Sequence, residues 1–283
     1  MMQFLTAKQG GNWWPLAEGS VPSDQFVAGD TLQQCQGEFA PANASMYQNS
    51  WVSQDDWKLL SAAGGGAILL SPQGEKLAWL DDGSGISLTA SDDSFFLLFP
   101  WDLLKVNEQI VGALTENVHI GEVSPAANIE GIIHVGAGSR ILPGVFIEGN
   151  AVIGENCKIG PNCYIRGNTA IGDGVHIGQA VEVKNSIVGH GSSVGHLSYV
   201  GDSVIGSKVN FGAATVTSNL RHDGKNHRTS VDGTLLDTGR RKLGTIVGDH
   251  VHTGIHTAIY PGRKLGPYAT TRPNESVERD IFE

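Results

Sequence analysis

Cysteine is scarce in this chain, with only Cys35, Cys157 and Cys163 among 283 residues. Three cysteines build no disulfide framework, and their spacing matches no paired metal signature. Long apolar runs are also missing. No stretch approaches the ~18 residues that a membrane span needs, and the opening MMQFLTAKQGGNWWPL lacks the basic-then-apolar order of a secretory leader. Basic residues are rare in the first part. Up to residue 118 there are 4 Lys+Arg against 14 Asp+Glu, while the remainder carries 15 of each, so the whole net charge of −10 resides there. Such an acidic segment argues against a nucleic-acid or anionic-membrane partner. Tryptophan is absent from the rest, since all six lie within the first 101 residues. Two regions of different character meeting near residue 118, in a cytoplasmic protein, follow from these absences.

What the second region does have is a beat. Val135, Ile141, Ile147, Ile153, Ile159, Ile165, Ile171, Ile177 and Val183 recur at an unbroken spacing of six. After steps of five the beat runs on through Val188, Val194, Val200, Ile205 and Phe211, and it resumes at Val247, Thr253, Ile259 and Leu265. The fourth residue after a marker is usually small or β-branched, as at Ser139, Val145, Ala151, Cys157, Cys163, Thr169, Val175 and Val181. A period of six fits neither an α-helix nor an alternating strand; it marks a parallel β-helix of hexapeptides. Three hexads close one triangular coil of 18 residues, stacked on the next at the ~4.8 Å of paired strands. Markers point inward and small residues fill the corners, which gives Cys157 and Cys163 a packing role.

Arg166 and Lys184 stand 18 residues apart, each just after its marker, so they fall on one face of adjacent coils. Two cations one strand apart repel; they are either a solvated pair or a clamp for a bound phosphate. Between Thr217 and Thr245 the beat fails. That excursion holds Arg221, Lys225, Arg228, Arg240, Arg241 and Lys242, and Val231-Asp232-Gly233-Thr234 reads as a hairpin turn between short strands. Loops that project from a rigid solenoid are where such folds carry sites. The cations suggest an anionic ligand or a solvated loop.

The run VEVKNSIVGHGSSVGHLSYVGDSVIGSKVNFGAATVTSN resembles the acetyltransferase domain of bifunctional N-acetylglucosamine-1-phosphate uridylyltransferases. The continuation NLRHDGK, DTGRRKLG and IVGDHVHTGIHTAIYPGRKLG resembles the archaeal sugar-1-phosphate nucleotidylyltransferase/acetyltransferase branch. The match covers roughly residues 130–270 and includes off-beat residues. It implies that the β-helix is left-handed. It also implies a general base at His196, sugar-phosphate contacts at Arg166 and Lys184, further sugar contacts at Tyr199, Asn210, Asn219 and Lys225, and a thioester-steadying backbone N–H at Ala213. For Arg166 and Lys184 the resemblance therefore favours the clamp. Acetyl-CoA is the implied co-substrate, bound between subunits of a homotrimer, with no metal expected. Gly212-Ala213-Ala214-Thr215 departs from the family's GAGT, and Ile255 stands where bacterial relatives often have Ser, so a CoA contact there uses the backbone or is absent. Arg263, Lys264 or the Arg240–Lys242 cluster are candidates for the CoA phosphates.

The expected fold is mainly β. Residues 119–272 form a left-handed parallel β-helix with an excursion at 218–245, after a small α/β cap at 1–118 and before a tail at 273–283. The relatives carry a nucleotidyltransferase domain ahead of the β-helix. Here the glycine cluster Ala63–Ala67 follows a helix-like DDWKLLSAA and precedes the strand-like AILL, the wrong polarity for a phosphate loop. The cap is thus expected to be nucleotidyltransferase-derived without that activity, with Phe99–Leu114 as the helical connector. The expected function, in nucleotide-sugar biosynthesis, is N-acetylation of an amino-sugar 1-phosphate, glucosamine-1-phosphate or galactosamine-1-phosphate. The competing classes are a non-catalytic sugar-phosphate scaffold or sensor, and a γ-carbonic-anhydrase-like metal enzyme drawing on His190/His196, His222/His227 and His250/His252/His256.

Overall fold

The computed structural model describes residues 2–5, 12–17 and 24–282. By contacts these divide into two compact units. The first holds 2–5, 12–13, 24–25 and 30–99; the second holds 14–17, 26–29 and 100–282.

The first unit is α/β. Its five-stranded sheet runs in the order Gln3–Leu5, Ala44–Tyr47, Lys76–Leu80, Ile68–Leu70, Ser87–Thr89. Helix α1 (Leu32–Glu38) starts at a capping box between Thr31 and Gln34. Helix α2 (Gln54–Ala63) is capped by Ser53, whose hydroxyl accepts from the Asp56 N–H, and has Asp55 and Asp56 in its first turn. It buries Trp57 and Leu60 against Met46, Leu69 and Leu77. Gly64, at φ +85, ends it, and the chain turns through Gly65 and Gly66 into Ile68–Leu70. The glycine cluster is therefore a helix-to-strand turn.

The second unit is a left-handed parallel β-helix, entered through helix α3 (Asp102–Gly112). Among the described residues its three parallel sheets hold 8, 6 and 8 strands, and isolated bridges carry the middle one on through Asn210–His252–Thr270. Every hexad marker from Val135 to Leu265 lies in the interior, most of them below 4% exposed. The corner series Ser139 to Val181 is buried beside them, Cys157 and Cys163 included. Each buried Ile or Val stabilises by about 1.5–3 kcal/mol relative to exposure. Burial pushes the Cys163 thiol up to about 12 and raises Cys157 as well, so neither is a ready nucleophile.

Register fixes the outer columns. Coils of 18 residues set Tyr164 beside Glu182 and Arg166 beside Lys184. The next coil is one residue shorter, so Glu182 meets Tyr199 and Lys184 meets Gly201. The residue is lost at the corner holding Asn185, and again one coil on at Asp202. Both adopt left-handed backbone conformations, φ +46 and +49. The excursion leaves after Val216–Thr217 and returns at Thr245–Val247, whose Ile246 pairs with Val204. Its hairpin joins Arg228–Val231 to Thr234–Asp237, and Asp232 and Gly233 both have positive φ (+47 and +78), the signature of a type I′ turn. Among the described residues no helix is long and apolar enough to cross a membrane.

Candidate functional site

The expected site residues all lie in the second unit, distributed over the three faces of the prism, their corners and the excursion. Strand Ser193–His196 of the middle sheet ends at His196, whose side chain is exposed. The chain turns through Leu197 (φ +53) and Ser198 into Tyr199–Gly201 of the third sheet. One corner thus separates the imidazole from the Tyr199 phenol. The His196 carbonyl accepts from the Ser198 hydroxyl at 2.8 Å and from the Ala214 N–H at 3.0 Å. That second bond fastens the Gly212–Thr215 corner one coil above His196. The Ala213 carbonyl accepts from His256 N–H, but the Ala213 N–H has no partner among the described residues. An unpaired backbone donor therefore sits beside a residue tied to the histidine. His176, one coil below on the same face, has its pKa lowered by burial, then by Lys158 and His196.

Four of the expected anchors form one cluster around the third sheet. Arg166 Nε donates to Glu182 Oε1 at 2.7 Å, which holds the guanidinium pKa up. Lys184 Nζ donates to both oxygens of Asp202 at 2.7 and 3.0 Å. Asn219 Nδ2, reaching in from the start of the excursion, donates to Asp202 Oδ2 at 2.5 Å and to Tyr199 Oη at 2.9 Å. Burial, followed by the nearby Asp202 and Glu182 charges, raises the Tyr199 phenol, so it keeps its proton and can donate it. Gly201 makes this crowding feasible: a Cβ there would come within 2.3 Å of Tyr199 Oη and 2.7 Å of Asn219 Nδ2. Alongside the cluster runs an open groove of about 510 Å³ that includes Phe146, Tyr164, Glu182, Leu197, Tyr199 and Val216 in its lining.

The other expected residues fall elsewhere. Asn210, exposed, pairs with Ser193 one coil above the His196 strand. Lys225 is exposed in the excursion; its N–H donates to Asp223, and no bond among the described residues joins its ammonium to the cluster. Ile255 is half-exposed at the end of the solenoid, and its carbonyl accepts from Asn274 N–H. Arg263 lies 3.7 Å from Asp280. Lys264, expected as a CoA-phosphate contact, is only 3% exposed, and its ammonium donates to the Ser230 carbonyl at 2.5 Å and lies 5.2 Å from the Trp14 ring centroid. Burial lowers its pKa. Arg240 is engaged by Glu108 of α3 at 2.5 Å. Among the described residues no three His, Cys, Asp or Glu side chains gather as a metal site.

Asp202 is the member that the sequence analysis passed over. Its carboxylate is 4% exposed and accepts from Lys184, Asn219 and, at 3.1 Å, Asn185. The signal was present: Asp202 ends GHLSYVGD inside a five-residue step, Val200 to Ile205, where the beat breaks.

Comparison with known proteins places this β-helix. The profile of the GMPPB C-terminal domain matches residues 124–221 and 147–265. The bifunctional sugar-1-phosphate nucleotidylyltransferase/acetyltransferase of Sulfurisphaera tokodaii is 43% identical over 182 residues, 64% of this chain and 45% of that protein. The bifunctional protein GlmU of Methanococcus maripaludis is 37% identical over 182 residues, 64% of this chain and 44% of that one. The chain thus spans less than half the length of these curated relatives. Among solved structures, the Francisella novicida UDP-N-acetylglucosamine acyltransferase aligns at a TM-score of 0.30 and 17% identity, over 58% of this chain and 63% of that one. Through residues 124–265, half of its length, the chain belongs to the family of the GMPPB C-terminal domain.

Proposed function

We propose that the protein is an acetyl-CoA-dependent N-acetyltransferase acting on an amino-sugar 1-phosphate, glucosamine-1-phosphate or galactosamine-1-phosphate. One observation carries the reading: an exposed His196 lies one corner away from a cluster of Arg166, Lys184, Tyr199 and Asn219. A general base, an anion anchor and the unpaired Ala213 N–H are the three parts that acyl transfer to a phosphorylated amine requires. The names of the relatives support acetyl transfer, and their roles are carried here as proposals.

In this reading the sugar amine attacks the thioester carbonyl as His196 takes its proton. An imidazole suits this step because its unperturbed pKa of about 6.5 lies near neutrality. Negative charge develops on the former carbonyl oxygen, where a fixed N–H such as that of Ala213 is worth about 3 kcal/mol. Collapse of the intermediate expels the CoA thiolate, which takes up a proton, and leaves the amide. The phosphate is held by Arg166, Lys184 and the Tyr199 hydroxyl, so binding energy remote from the amine sets its position. Arg166 and Lys184 each face a carboxylate, and Lys225, with no ion-pair partner among the described residues, supplies further charge from the excursion. Asn210 borders the amine side. The backbone at Ile255 and the Arg263 guanidinium remain the proposed CoA contacts. A homotrimer with the site between subunits is part of the proposal, as is the absence of nucleotidyl transfer from the first unit.

Free-thiol release from acetyl-CoA, measured with each sugar phosphate, tests it. Release with one sugar, reduced about 10²–10⁴-fold by His196→Ala, is the expected result. Saturable binding of sugar phosphate without any release would instead assign a sensor.

A further inference from the structure

Asp202 makes no contribution to the chemistry described above, yet more of the anchor depends on it than on any other side chain in the cluster. Its carboxylate is almost wholly buried, and its accepting capacity is filled: two bonds from Lys184, one from Asn219 and one from Asn185. A carboxylate offers about four lone-pair sites, so none remains for a ligand. Its backbone is equally committed. The Asp202 N–H donates to the Lys184 carbonyl at 2.8 Å, and its carbonyl accepts from Gly244 N–H at 2.8 Å. Asn219 stands where the excursion leaves the coil and Gly244 where it returns, so one residue pins both ends of the segment that carries Lys225.

We infer that Asp202 is a positioning residue that holds Lys184 and Asn219 as one unit in their ligand-ready states. This rests on the proposed sugar-phosphate site. The argument is a count of donors. Lys184 has three ammonium hydrogens, and one carboxylate engages at most two, so one stays directed to a ligand phosphate. Asn219 has two amide hydrogens; one goes to Asp202 and the other to Tyr199 Oη. Its amide nitrogen is thereby saturated. The opposite orientation would set Oδ1 against the Asp202 carboxylate, so the carboxylate decides which way the amide turns. What Asn219 offers a ligand is the acceptor Oδ1, suited to a sugar hydroxyl or amine and unsuited to a phosphate. The Tyr199 hydroxyl, accepting from Asn219, keeps its own hydrogen for the ligand. Asn185 also donates to Glu108 Oε1 at 2.7 Å, and Glu108 binds Arg240, so α3 and the far end of the excursion brace the same carboxylate.

Replacing the carboxylate by an amide removes this determinant: Asp202→Asn can face Lys184 or Asn219 with a donor, and both partners lose a fixed orientation. Calorimetric titration with glucosamine-1-phosphate and galactosamine-1-phosphate is the test, on wild type, Asp202→Asn, Lys184→Gln and the double variant, with thermal melts as a fold check. Asp202→Asn is expected to bind at least tenfold more weakly, and the double variant no more weakly than the worse single variant. In thiol-release assays the KM for sugar phosphate rises while kcat stays within about threefold, a split that general loss of structure would not give. Binding of Asp202→Asn within twofold of wild type, or losses that multiply in the double variant, would overturn the inference. Should Asp202→Asn fail to fold, Lys184→Gln and Asn219→Ala are combined instead: coupled losses support a shared unit, and independent ones refute it. A wild type that binds sugar phosphate but releases no thiol sinks the acetyltransferase reading and leaves this inference to the binding data. A wild type that binds neither sugar phosphate overturns both.

Discussion

At the scale of single residues, what a side chain can do here is decided by what it already touches. Lys184 and Asn219 are ordered by Asp202, whereas Lys264 has its ammonium inside, on a carbonyl. His227 is a case with a consequence for stability. It is 2% exposed, and its Nε2 lies 3.0 Å from the Asn219 carbonyl, to which it donates. Burial, first among the causes, lowers its pKa below the ordinary 6.5. The unfolded chain takes up this proton near pH 6.5, and the folded protein resists until lower pH. The stabilisation is therefore full above the ordinary pKa and is lost as pH falls through the folded one. Melting temperature should drop as pH is lowered from about 7.5 to about 5.5, and His227→Gln should make that slope shallower. An unchanged slope would show that the proton goes elsewhere.

At the scale of elements, the strands of the β-helix are two to four residues long and owe their persistence to stacking of inward aliphatics from coil to coil. Ile165, 0% exposed, lies between Ile147 and Val183 in register. Truncation to alanine there should cost about 2–5 kcal/mol in urea unfolding, because flanking coils fixed by backbone hydrogen bonds cannot close on the void. A cost below ~1 kcal/mol would mean that the coil collapses locally. Register was legible in the sequence where the period was unbroken. The pairing of Arg166 with Lys184 follows from 18 residues and nothing more. The shortened corners were visible as steps of five, but what they accomplish was not. Asp202, at a left-handed corner, takes the Lys184 ammonium of the preceding coil and the Asn219 amide of the excursion, contacts that a step of five does not announce.

At the scale of the whole molecule, Leu197 is 63% exposed and Val216 42% beside the proposed site, and Ile255 and Tyr260 are about half-exposed further along the same unit. The proposed homotrimer predicts a sedimenting species of about 90 kDa from a 29.9 kDa chain. Leu197→Glu is expected to shift it toward monomer and to reduce thiol release. A monomer of full activity would count against the trimer.

Determined by sequence alone were the β-helix, its coil length, the inward series of Ile and Val and the small corner residues. Each follows from a local period, whereas the left hand of the coil was implied by the family resemblance and not by the period. The hairpin was likewise fixed by Asp-Gly between short strands. Tertiary structure decided how the charges are matched: Arg166 with Glu182, Lys184 with Asp202, Arg240 with Glu108, and Lys264 with the Ser230 carbonyl. Glu108 and Arg240 stand 132 positions apart in the chain. Such pairings depend on where an aperiodic excursion returns to a periodic solid, and no local pattern encodes that distance.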